Sequence, residues 1–72
     1  MLPLNTVPMW ARQIERERRR LGLTSAAVGQ AGGKNRTWWA TIRRQVTPPG
    51  DWLKVEKRIV GFLEEMADDN RA

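Results

Sequence analysis

The fold of this chain is decided by residues 24–44, which read TSAAVGQAGGKNRTWWATIRR. Thr24 is a natural N-cap, and the small residues that follow it up to Ala31 favour a short helix that can pack closely against a neighbour. Gly32 and Gly33 then predict a sharp turn, because helices often end where a glycine adopts the left-handed conformation. We therefore expect a short helix that ends in a tight turn.

A second helix is predicted immediately after this turn, over residues 36–44. Asn35 precedes it and is a good N-cap residue. Trp39 and Ile42 are three residues apart, which places them on one inward face of the helix, with Trp38 one step around it. The segment therefore predicts a helix, a glycine turn and a second helix in that order.

A longer helix is predicted before this segment, with Thr6 as its N-cap and Gly22 as its end. Four residues of this helix recur at helical spacing and should therefore share one face. The opposite face is expected to be solvated and basic, with Glu15 able to pair with Arg19 four residues later. The inward set is Trp10, Ile14, Arg18 and Leu21, and the solvated set is Arg12, Glu15, Arg16, Arg19 and Arg20.

The longest helix is predicted after the loop that contains Pro48, Pro49 and Gly50. Asp51 is placed to cap it, and the helix should run from Trp52 to about Ala67. Its apolar residues form a wide stripe, which is typical of a helix that contributes much of the core. The stripe consists of Trp52, Val55, Ile59, Val60, Phe62, Leu63 and Met66.

These elements predict an all-α fold, a small domain of four and possibly five helices, because no alternating strand pattern occurs. We divide the 72 residues into an extended N-terminal arm (1–8), a helical domain (9–67) and a frayed tail (68–72). The domain is too small for a roomy enzyme pocket. Trp10, Trp39 and Trp52 are assigned to its core, in preference to stacking on single-stranded bases.

The composition excludes several kinds of chemistry. The chain has no Cys, no His and no Tyr, which removes disulfides, the commonest zinc ligands and imidazole general bases. We therefore expect no enzymatic activity, no metal, no cofactor and no small-molecule ligand. The N-terminal residues lack the pattern of a signal peptide, and no apolar stretch is long enough to span a membrane, so a cytoplasmic location is expected.

The charge is distributed unevenly along the chain. Thirteen Lys and Arg residues against eight Asp and Glu residues give a net charge of +5. Residues 1–50 carry nine basic and two acidic side chains, whereas residues 51–72 carry four basic and six acidic ones. A basic front segment suits a polyanionic partner, because Lys and Arg that neutralise phosphates release counterions. Solubility alone is the simpler alternative explanation for the same charge.

The order of caps, small residues and turn in residues 23–44 resembles the lambda-repressor and Cro-like helix-turn-helix family, also called the Xre family. The resemblance covers roughly residues 9–66, with Lys34 where the family has an apolar residue and Gly32 where it tends to have Ala. The matching residues are Leu23 and Thr24 at the entry, Val28 as the apolar anchor, Gly29 as the small residue, Gly33 at the turn, Asn35 as the cap, and Trp39 and Ile42 as buried positions.

The resemblance implies sequence-specific binding of double-stranded DNA, with the second helix as a recognition helix in the major groove. It implies a Cro-like transcriptional regulator of phage or mobile-element type, associated with the nucleoid when bound. Arg36 is the best candidate base reader, since arginine can donate two hydrogen bonds to guanine. The expected base contacts are Asn35, Arg36, Thr37, Ala40, Thr41 and Arg44, and the expected phosphate contacts are Ser25, Lys34 and Arg43. Trp38 is expected either at the edge of the core or over the DNA backbone.

The resemblance also implies a homodimer that binds two half-sites. The last helix is the candidate dimer interface, although its apolar stripe could equally be buried in its own small core. The alternative function is a protein-interaction module, a small inhibitor or antitoxin-like adaptor on the same scaffold, since fold does not determine function. The residues assigned to the dimer interface are Val55, Ile59, Phe62 and Met66.

Overall fold

The computed structural model describes residues 3–71 and shows one short 3-10 helix followed by four α-helices. No strand occurs within these residues, so the predicted all-α fold with four helices is confirmed. Met1, Leu2 and Ala72, which belong to the predicted arm and tail, lie outside the described residues. The 3-10 helix spans Leu4–Thr6, and the α-helices span Met9–Arg20 (α1), Ser25–Ala31 (α2), Trp38–Ile42 (α3) and Trp52–Arg71 (α4).

The segment before α1 is not simply extended. The Thr6 hydroxyl donates a hydrogen bond to the Pro3 carbonyl (2.7 Å) within the 3-10 turn, so Thr6 does not cap α1 as predicted. The N-cap position belongs to Pro8, whose ring restricts φ and whose carbonyl accepts from the Ala11 amide. Val7, only 2% exposed, is buried in the core, so part of the predicted arm packs against the domain.

The connection from α1 to α2 follows the predicted signals. Gly22 adopts a positive φ of 69° just after α1, a conformation that glycine reaches without steric strain. The Thr24 side chain accepts a hydrogen bond from the Ala27 amide (3.1 Å), which confirms it as the N-cap of α2. Local chemistry therefore determines where α1 ends and α2 begins.

The core lies between the four α-helices and is built around three tryptophans. Trp52 lies with its ring centroid 4.8 Å from that of Trp10 and 6.1 Å from that of Trp39. Trp39 is completely buried, Trp52 is buried, and the half-buried Trp10 donates from Nε1 to the Gln45 carbonyl (2.8 Å). The prediction that these three tryptophans belong to the core is confirmed. The buried apolar residues are Val7, Ala11, Ile14, Val28, Trp39, Trp52, Val55, Ile59 and Leu63.

The inner face of α4 belongs to this core, which changes the prediction for the dimer interface. Val55 and Ile59 are 3% and 0% exposed, so they are buried inside the single chain and do not face a partner. Phe62 and Met66 are half-buried, and Phe62 packs against the same core. In a domain this small, the apolar stripe of the longest helix is needed to close the chain's own core.

Helix α4 continues to Arg71, so residues 68–71, which were predicted to belong to a frayed tail, are helical. Asp and Asn each disfavour a helix by only some tenths of a kcal/mol relative to Ala, and neither Gly nor Pro interrupts the last turns. At the other end, the Asp51 carbonyl accepts from the amides of Lys54 and Val55 (both 3.1 Å). The Asp51 carboxylate instead binds Lys34, as described below.

Candidate nucleic-acid interface

The turn between α2 and α3 depends on two glycines. Gly33 has a φ of 78°, which confirms the predicted left-handed turn position. A Cβ at Gly29 would lie 2.5 Å from the Asn35 carbonyl oxygen, so only glycine fits where the loop crosses α2. The Gly29 carbonyl in turn accepts a hydrogen bond from the Lys34 amide (2.9 Å). These contacts hold the start of the loop tightly against α2.

Gly32 allows α2 and α4 to pack closely together. A Cβ at this position would lie 2.9 Å from Val55 Cγ1 and 3.3 Å from Ile59 Cδ1. Alanine, which the resemblance leads one to expect here, would therefore press into the apolar face of α4. The glycine lets the end of α2 approach α4 closely, so it is required by packing.

The predicted recognition helix is shorter than expected. It spans Trp38–Ile42, and residues 35–37 form a turn ahead of it. Asn35 does not sit at the N-cap: its Oδ1 accepts from the Thr37 amide (3.1 Å) and the Thr37 hydroxyl (3.0 Å). An Asn side chain that bonds two residues ahead stabilises a turn in place of the first helical turn. Arg36 and Arg44 thus flank the helix and lie outside it.

The predicted base-contacting residues lie in α3 or directly beside it, and most of them are exposed. Ala40 is half-buried, and the other five are exposed. Arg36 and Arg44 are both exposed, and neither forms a salt bridge with another described residue. We call this set the α3 surface, and it consists of Asn35, Arg36, Thr37, Ala40, Thr41 and Arg44.

A shallow cavity of about 220 Å³ opens on the α3 surface. Its walls combine the polar groups of Asn35, Thr37 and Thr41 with the apolar side chains of Trp38 and Ile42. Trp38 is half-buried, and its ring centroid lies 5.9 Å from that of Trp39. Trp38 therefore packs at the edge of the core, one of the two positions expected for it, and also lines the exposed cavity.

The three residues predicted to contact phosphates already have partners within the chain. Lys34 Nζ lies 2.7 Å from Asp51 Oδ2, which lowers the pKa of Asp51, and 5.9 Å from the centre of the Trp38 ring. Arg43 Nη1 donates to Glu15 Oε2 (3.1 Å) and to Ser25 Oγ (3.2 Å). Lys34 and Arg43 were predicted to bind phosphates, but their charges are partly neutralised by Asp51 and Glu15 within the chain.

Glu15 is the one member of the predicted solvated face of α1 that is buried. Its side chain is 0% exposed, although it was assigned to the solvated face of α1. It accepts five hydrogen bonds: two from Arg18 (2.7 and 2.8 Å), one from Arg19 (2.9 Å), one from Arg43 (3.1 Å) and one from Trp39 Nε1 (2.9 Å). The predicted pairing of Glu15 with Arg19 is confirmed. We call these five residues the Glu15 network, and it ties α1 to both ends of α3.

Helical spacing could have revealed only part of this network. Arg18 and Arg19 follow Glu15 at the i+3 and i+4 positions, which is a visible signal. Trp39 and Arg43 are 24 and 28 residues away, so their contacts with Glu15 arise only from the tertiary fold. A buried charge needs several such partners, because each unsatisfied group would be costly in the interior.

The network also determines the protonation of Glu15. Burial by itself raises the pKa of this carboxyl, but hydrogen bonds from Arg18, Trp39 and Arg19 and the charge of Arg18 outweigh it and lower the pKa from 4.5 to about 2. Glu15 is therefore ionised in the folded chain at neutral pH. The cluster holds one negative and three positive side chains and has an excess of positive charge.

This lowered pKa predicts a loss of stability in acid. Because the folded chain prefers the ionised carboxylate, its contribution to stability is complete above pH 4.5 and disappears as the pH falls towards 2. A difference of this size corresponds to about 3 kcal/mol. Urea unfolding of the wild type and of Glu17→Gln should show the full loss between these pH values. Glu15→Gln, stabilised with an osmolyte where needed, should show only the smaller loss that comes from other carboxyls such as Asp51. An equal acid dependence in Glu15→Gln would contradict the assignment.

Within residues 3–71, no group of three or more His, Cys, Asp or Glu side chains is arranged to hold a metal ion. None of the helices in this range combines the length and the apolar composition needed to cross a bilayer. The chain matches no protein-family model, no curated protein and no solved structure.

Proposed function

We propose that the chain binds double-stranded DNA in a sequence-specific manner, with the α3 surface facing the major groove. The observation that carries this proposal is the exposed polar surface on a short helix that is rigidly supported from behind. Trp39 and Arg43 anchor α3 to Glu15, so the groups that would read bases are preorganised. A rigid recognition element loses little conformational entropy on binding.

The distribution of charge supports the same function. Arg36 and Arg44 are exposed at the two ends of α3, and the first 50 residues carry most of the positive charge. Exposed guanidinium groups attract phosphates at long range and can donate two hydrogen bonds to guanine at contact. With Lys34 and Arg43 engaged inside the chain, we assign the main DNA contacts to Arg36 and Arg44.

The resemblance to the lambda-repressor and Cro-like family is the further support for a regulatory role. On this basis we propose a Cro-like transcriptional regulator that acts as a homodimer in the cytoplasm. A recognition helix of five residues reads few bases, and two copies related by symmetry would double the length of the site. The expected target is therefore a palindrome.

Selection of bound duplexes from a random DNA library tests the proposal directly. We expect enrichment of a short motif, and log affinity should fall linearly with log salt concentration. A library without any enriched motif would contradict sequence-specific binding. It would favour the protein-interaction module, whose apolar contacts should depend little on salt.

Arg36→Ala provides the sharper test at the level of a residue. We expect the affinity for the selected site to fall by about 5- to 150-fold, the equivalent of about 1–3 kcal/mol, because two hydrogen bonds to a guanine are lost. The affinity for random duplexes should fall much less. Arg16→Ala, which removes another exposed arginine, from α1, is the matched control and should not change the ratio of the two affinities. Equal losses of Arg36→Ala on both DNAs would exclude Arg36 as a base reader.

A further inference from the structure

The outer face of α4 carries four exposed side chains in a line. Leu53, Lys57, Val60 and Glu64 follow each other at spacings of four, three and four residues, so they lie on one face of the helix. Leu53 is 79% exposed and Val60 37% exposed, so the single chain leaves two large apolar side chains of this face in contact with solvent. Apolar, basic, apolar and acidic side chains thus alternate along a stripe of about 16 Å. We call these four residues the α4 stripe.

Gly61 lies beside the α4 stripe, and the fold of the single chain does not require it. A Cβ at this position would meet nothing within 4 Å, in contrast to Gly29 and Gly32, where a Cβ would meet close neighbours. Glycine inside a helix is about 1 kcal/mol less favourable than alanine. An interior glycine without a close neighbour in its own chain is suited to the close approach of a second backbone.

We infer that a second copy of this chain packs its α4 antiparallel against the α4 stripe, with the two-fold axis between Val60 and Gly61. This register places Lys57 of each copy opposite Glu64 of the other, because the two positions are equidistant from the axis. Two equivalent salt bridges form, and Gly61 lets the helices approach where they cross. A two-fold interface requires a self-complementary surface, and the alternating charge and apolar side chains of the stripe provide one.

A groove adjoins the α4 stripe on the flank away from Gly61, so a partner helix would reach it only along Val60 and Glu64. The groove lies between α1 and α4, has a volume of about 490 Å³, and is lined by apolar groups that include Trp10, Val60 and Leu63. Met9 stands at its edge with 82% of its surface exposed. Its charged lining is mixed, with the acidic Glu17, Glu56 and Glu64 beside the basic Arg20, so the charge complementarity of the interface comes from Lys57 and Glu64 of the α4 stripe. The interface therefore uses the outer face of α4, whereas Val55 and Ile59 remain in the core.

Exchange of charges tests this arrangement in solution without DNA. Sedimentation equilibrium from about 1 µM to about 1 mM should show a dimer of the wild type, since this range brackets modest affinities. Lys57→Glu and Glu64→Lys, each alone, should weaken association at least about tenfold by placing like charges opposite each other. The double variant Lys57→Glu/Glu64→Lys should restore it. Lys57→Glu/Glu65→Lys has the same composition but places the new lysine off the stripe, and it should remain weakened.

Gly61→Leu tests the close approach of the helices. Leucine favours the helix of the single chain but separates the two backbones, so helicity should be preserved and dimerisation lost. A wild type that stays monomeric throughout the range, double variants that behave alike, or dimerisation that survives Gly61→Leu would each overturn the proposal. The homodimer named above as the DNA-binding form rests on this interface, but the tests are separate. A monomer that still enriches a DNA motif would reject the interface and leave DNA binding intact.

Discussion

Replacement of Glu15 by glutamine should lower the free energy of unfolding by about 3–5 kcal/mol, because removal of one partner from a buried ionic network leaves the others uncompensated. Arg18, Arg19 and Arg43 would then bring three positive charges together without a counter-charge. Glutamine is nearly the same shape, so the loss would reflect charge and hydrogen bonding more than volume. Urea titration followed by circular dichroism at neutral pH measures it.

Glu17→Gln is the matched control on the same helix. Glu17 pairs with Arg20 at 2.6 Å, but both side chains are substantially exposed (33% and 58%). A solvent-exposed pair of this kind contributes at most about 1 kcal/mol, since water screens it. If Glu15→Gln were no more destabilising than Glu17→Gln, the Glu15 network would not stabilise the fold as a buried cluster does.

Trp39→Ala should be as destabilising as the change at Glu15, with a loss of about 3–5 kcal/mol, because truncation of a fully buried aromatic residue leaves a large cavity. Trp39 contacts Trp10 and Trp52 in the core and donates from Nε1 to Glu15, so both packing and a hydrogen bond are lost. Thermal and urea denaturation measure the change. Unfolding should be followed by circular dichroism as well as by tryptophan fluorescence, since the substitution removes a fluorophore.

The adjacent Trp38 offers the control for this substitution. It is half-buried at the edge of the core, so Trp38→Ala should lower stability by only about 1 kcal/mol. The two variants have the same composition and differ only in which of two neighbouring tryptophans is removed. Similar losses in both would mean that α3 is not held in the orientation described.

Features that depend on local chemistry could be predicted from the sequence. Gly22, Thr24 and Gly33 act within one or two turns of their own helices, and each has the predicted role. The long apolar stripe of α4 likewise identified a helix that forms much of the core. Four helices without strands could be predicted because periodicity and glycine positions are local signals.

Features that depend on distant residues could not be predicted in this way. Glu15 looks solvated on a helical wheel, and only contacts with Trp39 and Arg43 bury it. The predicted start of α3 was wrong because the Asn35 side chain can stabilise either a helix or a turn. Tertiary packing selects between the two. Periodicity places Val55 and Ile59 on one apolar face of α4, but it does not decide whether that face packs in the chain's own core or against a second copy. The structure buries both residues in the core.

The location of Glu15 outside residues 24–44 bears on protein engineering. The two short helices and their turn form a continuous segment that could be transferred to another protein. However, the carboxylate that binds Trp39 and Arg43 is supplied by α1. Transfer of residues 24–44 to another scaffold, or their synthesis as an isolated peptide, would leave Trp39 Nε1 without its acceptor and Arg43 with the Ser25 hydroxyl in place of a carboxylate. The smallest unit that retains the geometry of the α3 surface must therefore include α1 with Glu15, together with the helix that completes the core.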